Sequence, residues 1–252
     1  MPKTILITGA SSGFGEACAK IFAKQGNTLI LVARRKQLLD ELADNLGKQC
    51  EVYTAQVDVS QPTSIATFFE QLPSKLGPID TLINNAGLAL GLESADKADI
   101  NDWETMINTN CLGLVHFTRQ VLPSMVANNL GHIVNIGSTA GKWPYPGGNV
   151  YGATKAFVQQ FSRNLRADLL GKNIRVTNID PGMAETEFSN VRFKGNNEKA
   201  EQVYHNAKPL TAQDIAETVE WVCNRPAHVN INSLEIMPVC QAWGGWEIDR
   251  NC

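Results

Sequence analysis

The order of residues predicts an α/β fold: a doubly wound, seven-stranded parallel sheet with helices on both faces, in one domain spanning residues 1–252. Three observations predict it. Short β-rich runs alternate with helical stretches along the chain. Several of those runs are nearly unbroken in leucine or β-branched residues, as expected of parallel strands buried on both faces. No internal repeat, low-complexity tract or linker divides them.

The strands are read at 4–8 (TILIT), 28–33 (TLILVA), 51–57 (EVYTAQV), 80–84 (DTLIN), 132–136 (HIVNI), 174–179 (IRVTNI) and 233–237 (SLEIM). Helical apolar spacing fills the gaps. In GEACAKIFAKQG, Ala19, Phe22 and Ala23 share one face, and Gly26 stops the run. TAQD opens a later helix with the Thr211 hydroxyl as cap and an acid three residues on.

Composition narrows the function classes. The chain is 43% hydrophobic and 19% charged, the balance of an ordinary globular enzyme or binding domain. A net charge of -3 argues against a nucleic-acid partner, which requires a basic face. No apolar run reaches the ~20 residues of a membrane helix, and the first apolar segment starts at Thr4, too early for a charged leader. The six cysteines are scattered without a C-x-x-C pair, so neither a metal site nor a disulfide framework is expected. Reduced thiols fit a cytoplasmic protein.

Directly after the first strand comes TGASSGFGEA, with Gly9, Gly13 and Gly15 in the spacing G-x-x-x-G-x-G at the opening of a helix. Glycines let the backbone approach a pyrophosphate, and free N–H groups at the helix start favour the anion. No G-K-[ST] follows, so this is not a Walker loop. At the end of the second strand an NAD site carries an acid for the ribose 2′-hydroxyl. Here VARRK supplies Arg34 and Arg35, which attract a 2′-phosphate instead, so the expected cofactor is NADP(H). The alternative is a solvated basic helix start.

In YGATK, Tyr151 and Lys155 stand four residues apart, on one face of a helix. An ammonium and an oxidised nicotinamide nearby lower a phenol's pKa and fit it for acid–base work near neutrality. Ser138, in GSTAG, follows the run HIVNI at the carboxyl end of a strand, where open α/β sheets bind ligands. Asn110, in NTNCLGLV, is an amide in a long helical segment, placed to hold a water near Lys155. Singly, Ser138 reads equally as a turn former and Asn110 as a local helix polar group.

Together, TGASSGFG, NNAG, Asn110, Ser138, YGATK and PGMAET resemble the short-chain dehydrogenase/reductase family over the whole chain. The resemblance implies a Rossmann-type sheet, a homotetramer or dimer, and direct hydride transfer between nicotinamide and a carbinol carbon. It implies Tyr151 as acid/base and Lys155 as its tuner and the ligand of the nicotinamide ribose. Ser138 orients the substrate oxygen, and Asn110 holds a relay water. The loop residues Gly9, Ser11, Ser12, Gly13, Phe14 and Gly15 meet the cofactor, Asp58 and Val59 its adenine. Asn84, Ala86 and Gly87 lie on its underside, and Pro181, Gly182 and Thr186 at its carboxamide end.

A narrower likeness, in GLALGLE, DWETMI, GSTAGKWPYPGGNVYGATKAF, TEFSNVRFKG and PAHVNINSLEIMPV, is to the NADP-dependent 3-hydroxy acid dehydrogenases within that family. It implies a small hydroxy or oxo acid substrate such as L-serine, L-allo-threonine or 3-hydroxypropionate. Residues 186–208 are expected to cover it, with Arg192 as a carboxylate clamp, Lys194 as its alternate, and Trp143 and Tyr145 as walls. Two other readings stay open: reduction of another small ketone, dione or acyl-linked ketoacid, and a non-catalytic NADP(H)-binding regulator. The tail QAWGGWEIDRNC reads as a subunit-packing extension.

Overall fold

The computed structural model describes residues 2–243. Seven strands form one parallel sheet: β1 (Thr4–Thr8), β2 (Thr28–Ala33), β3 (Val52–Gln56), β4 (Thr81–Asn84), β5 (Gly131–Ile136), β6 (Ile174–Pro181) and β7 (Ser233–Ile236). All seven lie where the sequence predicts, with ends differing by one or two residues, the usual latitude of strand termini. Their order in the sheet is β3-β2-β1-β4-β5-β6-β7, every pair parallel.

Strand alternation divides the core in two. Ile5 and Ile7 of β1, with Leu29 and Leu31 of β2, face one side; Leu6, Ile30 and Val32 face the other. The first side is covered by α1 (Gly13–Ala23), α2 (Lys36–Leu46) and α9 (Ala212–Cys223). The second is covered by α3 (Pro62–Gln71), α5 (Leu114–Asn128) and α6 (Asn149–Asp168). Ala19, Phe22 and Ala23 are buried on α1 as their spacing predicts, and Gly26 takes a positive φ of 71° just beyond. The Thr211 cap forms a reciprocal box: Thr211 Oγ1 accepts from Asp214 N at 3.2 Å, and Asp214 Oδ2 accepts from Thr211 N at 2.7 Å.

Two short helices follow β6: α7 (Phe188–Arg192), which lines the cavity at the carboxyl ends of the strands, and α8 (Asn197–Gln202), which does not. The remaining helix, α4 (Ile100–Ile107), runs into α5 through a π-helical turn, Asn108–Gly113. Asn110 thus lies within a long helical segment, as expected, at its π-helical turn. A wider turn here lets Gly113 pass close to β3's exit, where a Cβ would lie 2.6 Å from the Val59 carbonyl oxygen.

The sheet turns its topology between β1 and β4. Chain leaving these neighbours goes to opposite sides, and a crevice opens at their carboxyl ends. Among the described residues no helix is long and apolar enough to cross a membrane, and no cluster of His, Cys, Asp and Glu is grouped to hold a metal. Cys18, Cys50, Cys111, Cys223 and Cys240 are free thiols.

Phe117 is fully buried on α5, its ring 6.0 Å from that of Phe68 and 5.6 Å from that of Phe69. Truncation to alanine empties this contact. Phe117→Ala is expected to lower unfolding free energy by about 3–5 kcal/mol, read from urea unfolding at fixed protein concentration.

Candidate active site

The crevice is a cavity of about 700 Å³ at the carboxyl ends of the strands. One end is built by the glycine loop. Gly9 has φ 67°, and a Cβ there would sit 2.9 Å from Ala86 Cα; Gly13 has φ 53°. Gly15 does not reach the cavity. It lies under the turn, where a Cβ would meet the Gly9 carbonyl oxygen at 2.4 Å, so its role is close packing of helix against loop. Gly9, Ser11, Ser12, Gly13 and Phe14 all line the cavity.

Asn84 departs from the expectation. Its side chain is buried and donates to Thr118 Oγ1 at 3.0 Å and Asn135 Oδ1 at 2.9 Å, away from the cavity. The neighbouring asparagine points the other way, because successive residues at a strand end alternate sides. Asn85 Nδ2 donates to the carbonyls of Thr8 (2.9 Å) and Gly9 (3.2 Å), bracing the glycine loop. Asn85, Ala86 and Gly87 form the cavity floor.

Arg34 and Arg35 stand at the end of β2 on the cavity rim, with Asp58 and Val59 beside them. The Arg35 guanidinium donates to Ser11 Oγ at 3.2 Å, Ser12 Oγ at 2.6 Å and Glu187 Oε2 at 2.8 Å. Glu187 was not singled out by sequence, since nothing local pairs it with a residue 152 positions away. Asp58 Oδ1 accepts from Ser60 N and Oγ at 3.0 and 2.7 Å, an Asx turn that fixes the carboxylate at the rim. Lys36 is turned aside to Asp40 and Thr54.

Tyr151 and Lys155 rise from α6 at the centre of the cavity. Both are buried, and burial dominates both titrations. It pushes the Tyr151 phenol up to about 12, against the pull of hydrogen bonding with Ser138, while the phenol of Tyr145 raises it further and the Arg192 charge lowers it. Burial pulls the Lys155 ammonium down to about 8, while the Asp180 carboxylate and, less, Cys111 hold it up. Lys155 Nζ donates to the Ile136 carbonyl at 2.9 Å and lies 5.9 Å from the centre of the Tyr151 ring. Without the positive charge of an oxidised nicotinamide, which the sequence reading counts together with Lys155, desolvation of the phenolate is the largest influence on Tyr151.

Ser138 follows β5, with its Oγ accepting from Ala140 N at 3.1 Å and facing the Pro181 carbonyl at 3.5 Å. Asn110 lies just beneath the cavity. Its Oδ1 accepts from Leu88 N at 2.9 Å, and its Nδ2 donates to Leu88 O at 2.8 Å and Thr154 Oγ1 at 3.0 Å. The amide thus ties the floor loop to α6. Pro181, Gly182 and Thr186 line the wall opposite, and the Thr186 side chain stands 3.5 Å from where Gly13 would carry a Cβ.

The far end is aromatic. The guanidinium carbon of Arg192 is 5.3 Å from the centre of the Tyr151 ring, 5.6 Å from Phe188 and 5.8 Å from Tyr145. One guanidinium N–H donates to Tyr145 Oη at 2.6 Å, and among the described residues the buried Nε has no partner. Lys194 lies outside the cavity, pairing with Asp102 at 2.9 Å. Trp143 lines the cavity and meets Trp243 with ring centres 5.8 Å apart. Of the tail Gln241–Cys252, residues 244–252 lie outside the described residues.

A seven-stranded doubly wound sheet with a glycine cradle at its switch point, and a serine, tyrosine and lysine facing one cavity, defines a dinucleotide-dependent class of oxidoreductase. The chain belongs to the short chain dehydrogenase family, whose pattern matches residues 3–197. It is 56% identical over 247 residues to an NADP-dependent 3-hydroxy acid dehydrogenase of Shigella flexneri, covering 98% of this chain and 99% of that one. It is 49% identical to sulfoacetaldehyde reductase 2 of Chromohalobacter salexigens, over the full length of both. The solved closed form of a serine dehydrogenase complexed with NADP+ superposes with a TM-score of 0.96 at 56% identity, covering 98% of this chain and 100% of that chain.

Burial holds the phenol up and so favours the protonated form of Tyr151 through neutral and mildly alkaline pH. The 295-nm absorbance difference between wild type and Tyr151→Phe is expected to stay flat from pH 7 to about 11 and to rise only above that.

Proposed function

We propose that the chain transfers hydride between NADP(H) and the hydroxyl-bearing carbon of a small 3-hydroxy acid, such as L-serine, L-allo-threonine or 3-hydroxypropionate. The observation that carries the reading is Arg192: a guanidinium walled by three aromatic rings in the same cavity as Tyr151, its Nε buried and unpaired among the described residues. A buried unpaired N–H is costly and calls for an acceptor. A carboxylate two carbons from the reacting hydroxyl fits, since guanidinium holds it by parallel bonds.

The residues fit the cofactor. The backbone at Gly9 and Gly13 leaves a cradle that side chains would fill, which suits a pyrophosphate. Arg34 and Arg35 would hold the 2′-phosphate, Asp58 and Val59 would border the adenine, and Ala86 and Gly87 would lie beneath. Pro181, Gly182 and Thr186 would face the carboxamide. When bound, the oxidised cofactor supplies the hydride acceptor and a positive charge beside the phenol.

Ser138 Oγ orients the substrate oxygen toward Tyr151 Oη, which gives or takes its proton as carbonyl and alcohol interconvert. Lys155 holds the nicotinamide ribose and contributes its charge. Asn110 would hold a relay water: its Oδ1 and Lys155 Nζ converge on Gly87, lying 3.2 and 3.4 Å from where a Cβ would stand. The reading carries with it a homotetramer working in the cytoplasm.

The sulfonate-aldehyde name of one relative favours a second reading within the same chemistry, since Arg192 offers N–H donors to a sulfonate as well as to a carboxylate. An NADP+ reduction screen across L-serine, L-allo-threonine, 3-hydroxypropionate, isethionate and a neutral secondary alcohol separates the two. The 3-hydroxy acids are expected to lead; a neutral alcohol matching them overturns the reading. Arg192→Ala is expected to raise KM for the leading acid by about 10–100-fold while moving the neutral alcohol's little. Replacing Arg34 and Arg35 with alanine is expected to raise KM for NADP(H) by at least ~10-fold and to leave that for NAD(H) within a few-fold, measured by initial rates.

A further inference from the structure

Asp180 stands outside the roles given so far. It is a carboxylate with no exposed surface, one residue before the end of β6, and does not line the cavity. A buried carboxylate persists only where it is fully partnered. Its Oδ1 accepts from the Ser138 backbone N–H at 3.1 Å and from Asn178 Nδ2 at 2.7 Å. Its Oδ2 accepts from Gln159 Nε2 at 3.3 Å and Ser233 Oγ at 3.4 Å, and pairs with Lys142 Nζ at 2.9 Å. Lys142 goes on to Glu235 Oε2 at 3.1 Å, on β7.

These contacts join three elements that carry the chemistry. Ser138 follows β5, Gln159 is one turn beyond Lys155 on α6, and Asp180 itself leads into Pro181 and Gly182. The approach is close. A Cβ on Gly137 would lie 2.1 Å from Asp180 Oδ1, so the residue before Ser138 must be glycine for the carboxylate to arrive. Lys155, by contrast, is buried with a neutral carbonyl as its hydrogen-bond partner and, among the described residues, no carboxylate within ion-pair distance.

We propose that Asp180 is a positioning residue: its carboxylate fixes the Ser138 backbone and, bonded to Gln159 one turn beyond Lys155, sets a buried negative charge against the helix that carries that cation. The inference rests on the roles given above to Ser138, Tyr151 and Lys155. The other groups around Lys155 do not replace that charge. Tyr151 and Gln159 share its helix, Asn110 and Cys111 face it from the π-helical turn, and the Cys111 thiol is pushed up to about 11 by burial and so stays neutral. Arg192 sits across Tyr151 and adds positive charge. Around Asp180 the charged neighbours are Lys142, which partly neutralises it, and Glu235, which offsets Lys142. Consistent with this, Asp180 is the chief influence holding the Lys155 titration up against burial.

The sign of the effect follows. Removing the anion lowers the Lys155 pKa, so its cation is lost at lower pH; removing Lys142 leaves Asp180 less neutralised and has the opposite effect. The test uses the full-length enzyme and NADP+-linked oxidation of the leading substrate from the screen above, followed over pH 6–11. Asp180→Asn keeps the size of the side chain and removes its charge. The expected result is an alkaline limb of kcat/KM moved down by about one pH unit, with NADPH affinity unchanged within a few-fold. The kcat at pH 9 falls roughly tenfold while KM changes much less. Lys142→Met moves the limb upward. If Asp180→Asn does not fold, Lys142→Met decides alone. Limbs at the wild-type position in every folded variant, with only a uniform loss of activity, overturn the inference. Lys155→Met separates the two levels. If it turns over at wild-type rate, the role of Lys155 is wrong and Asp180 falls with it; if it is inactive and the limbs do not move, Asp180 alone falls.

Discussion

Everything at the cavity depends on how β1 and β4 are held where they part. Thr8 Oγ1 accepts from both Asn85 N and Ala86 N at 3.0 Å, and Asn85 Nδ2 returns to the carbonyls of Thr8 and Gly9. Backbone groups leaving a sheet lose their ladder partners, and unpaired they are costly. This clasp satisfies them while keeping the glycine loop open toward solvent. Loosen it and the floor of the cavity has no fixed height against the loop.

On that frame the electrostatics are set by burial more than by pairs. A phenol and an ammonium in the same dry place are both pushed toward their neutral forms, the first upward and the second downward. Proximity on a helix is thus not sufficient to make a tyrosine acidic. On the function proposed above, the missing charge would arrive with the ligands: an anion for Arg192 and a cation beside Tyr151. Burial alone favours the form in which the tyrosine holds its proton, the form the proposed reduction of a carbonyl would need.

Most of the fold was legible because parallel strands buried on both faces leave uninterrupted apolar runs, and helices between them leave a period near 3.6. The cavity residues Ser138, Tyr151, Lys155 and Arg192 were legible by type and by place at strand or helix ends. What sequence could not give depended on pairing across the sheet. Asn84 and Asn85 are the same residue type in one motif, and only the pleat decides which faces the glycine loop. The π-helical turn that sets Asn110 under the floor has no local signature in NTNCLG. Asp180 sits within an apolar run as a residue expected to be exposed, and its meaning appears only when Ser138, Gln159 and Lys142 converge on it.

The Arg35–Glu187 pair joins the two ends of the cavity. Glu187 is the residue directly before α7, and α7 ends in Arg192, so five residues connect the guanidinium at the cofactor rim to the one in the aromatic cage. An anion at Arg35 would compete with the contact that anchors the leading end of that short helix. The two arginines are therefore held in register by a single ion pair and one short stretch of main chain.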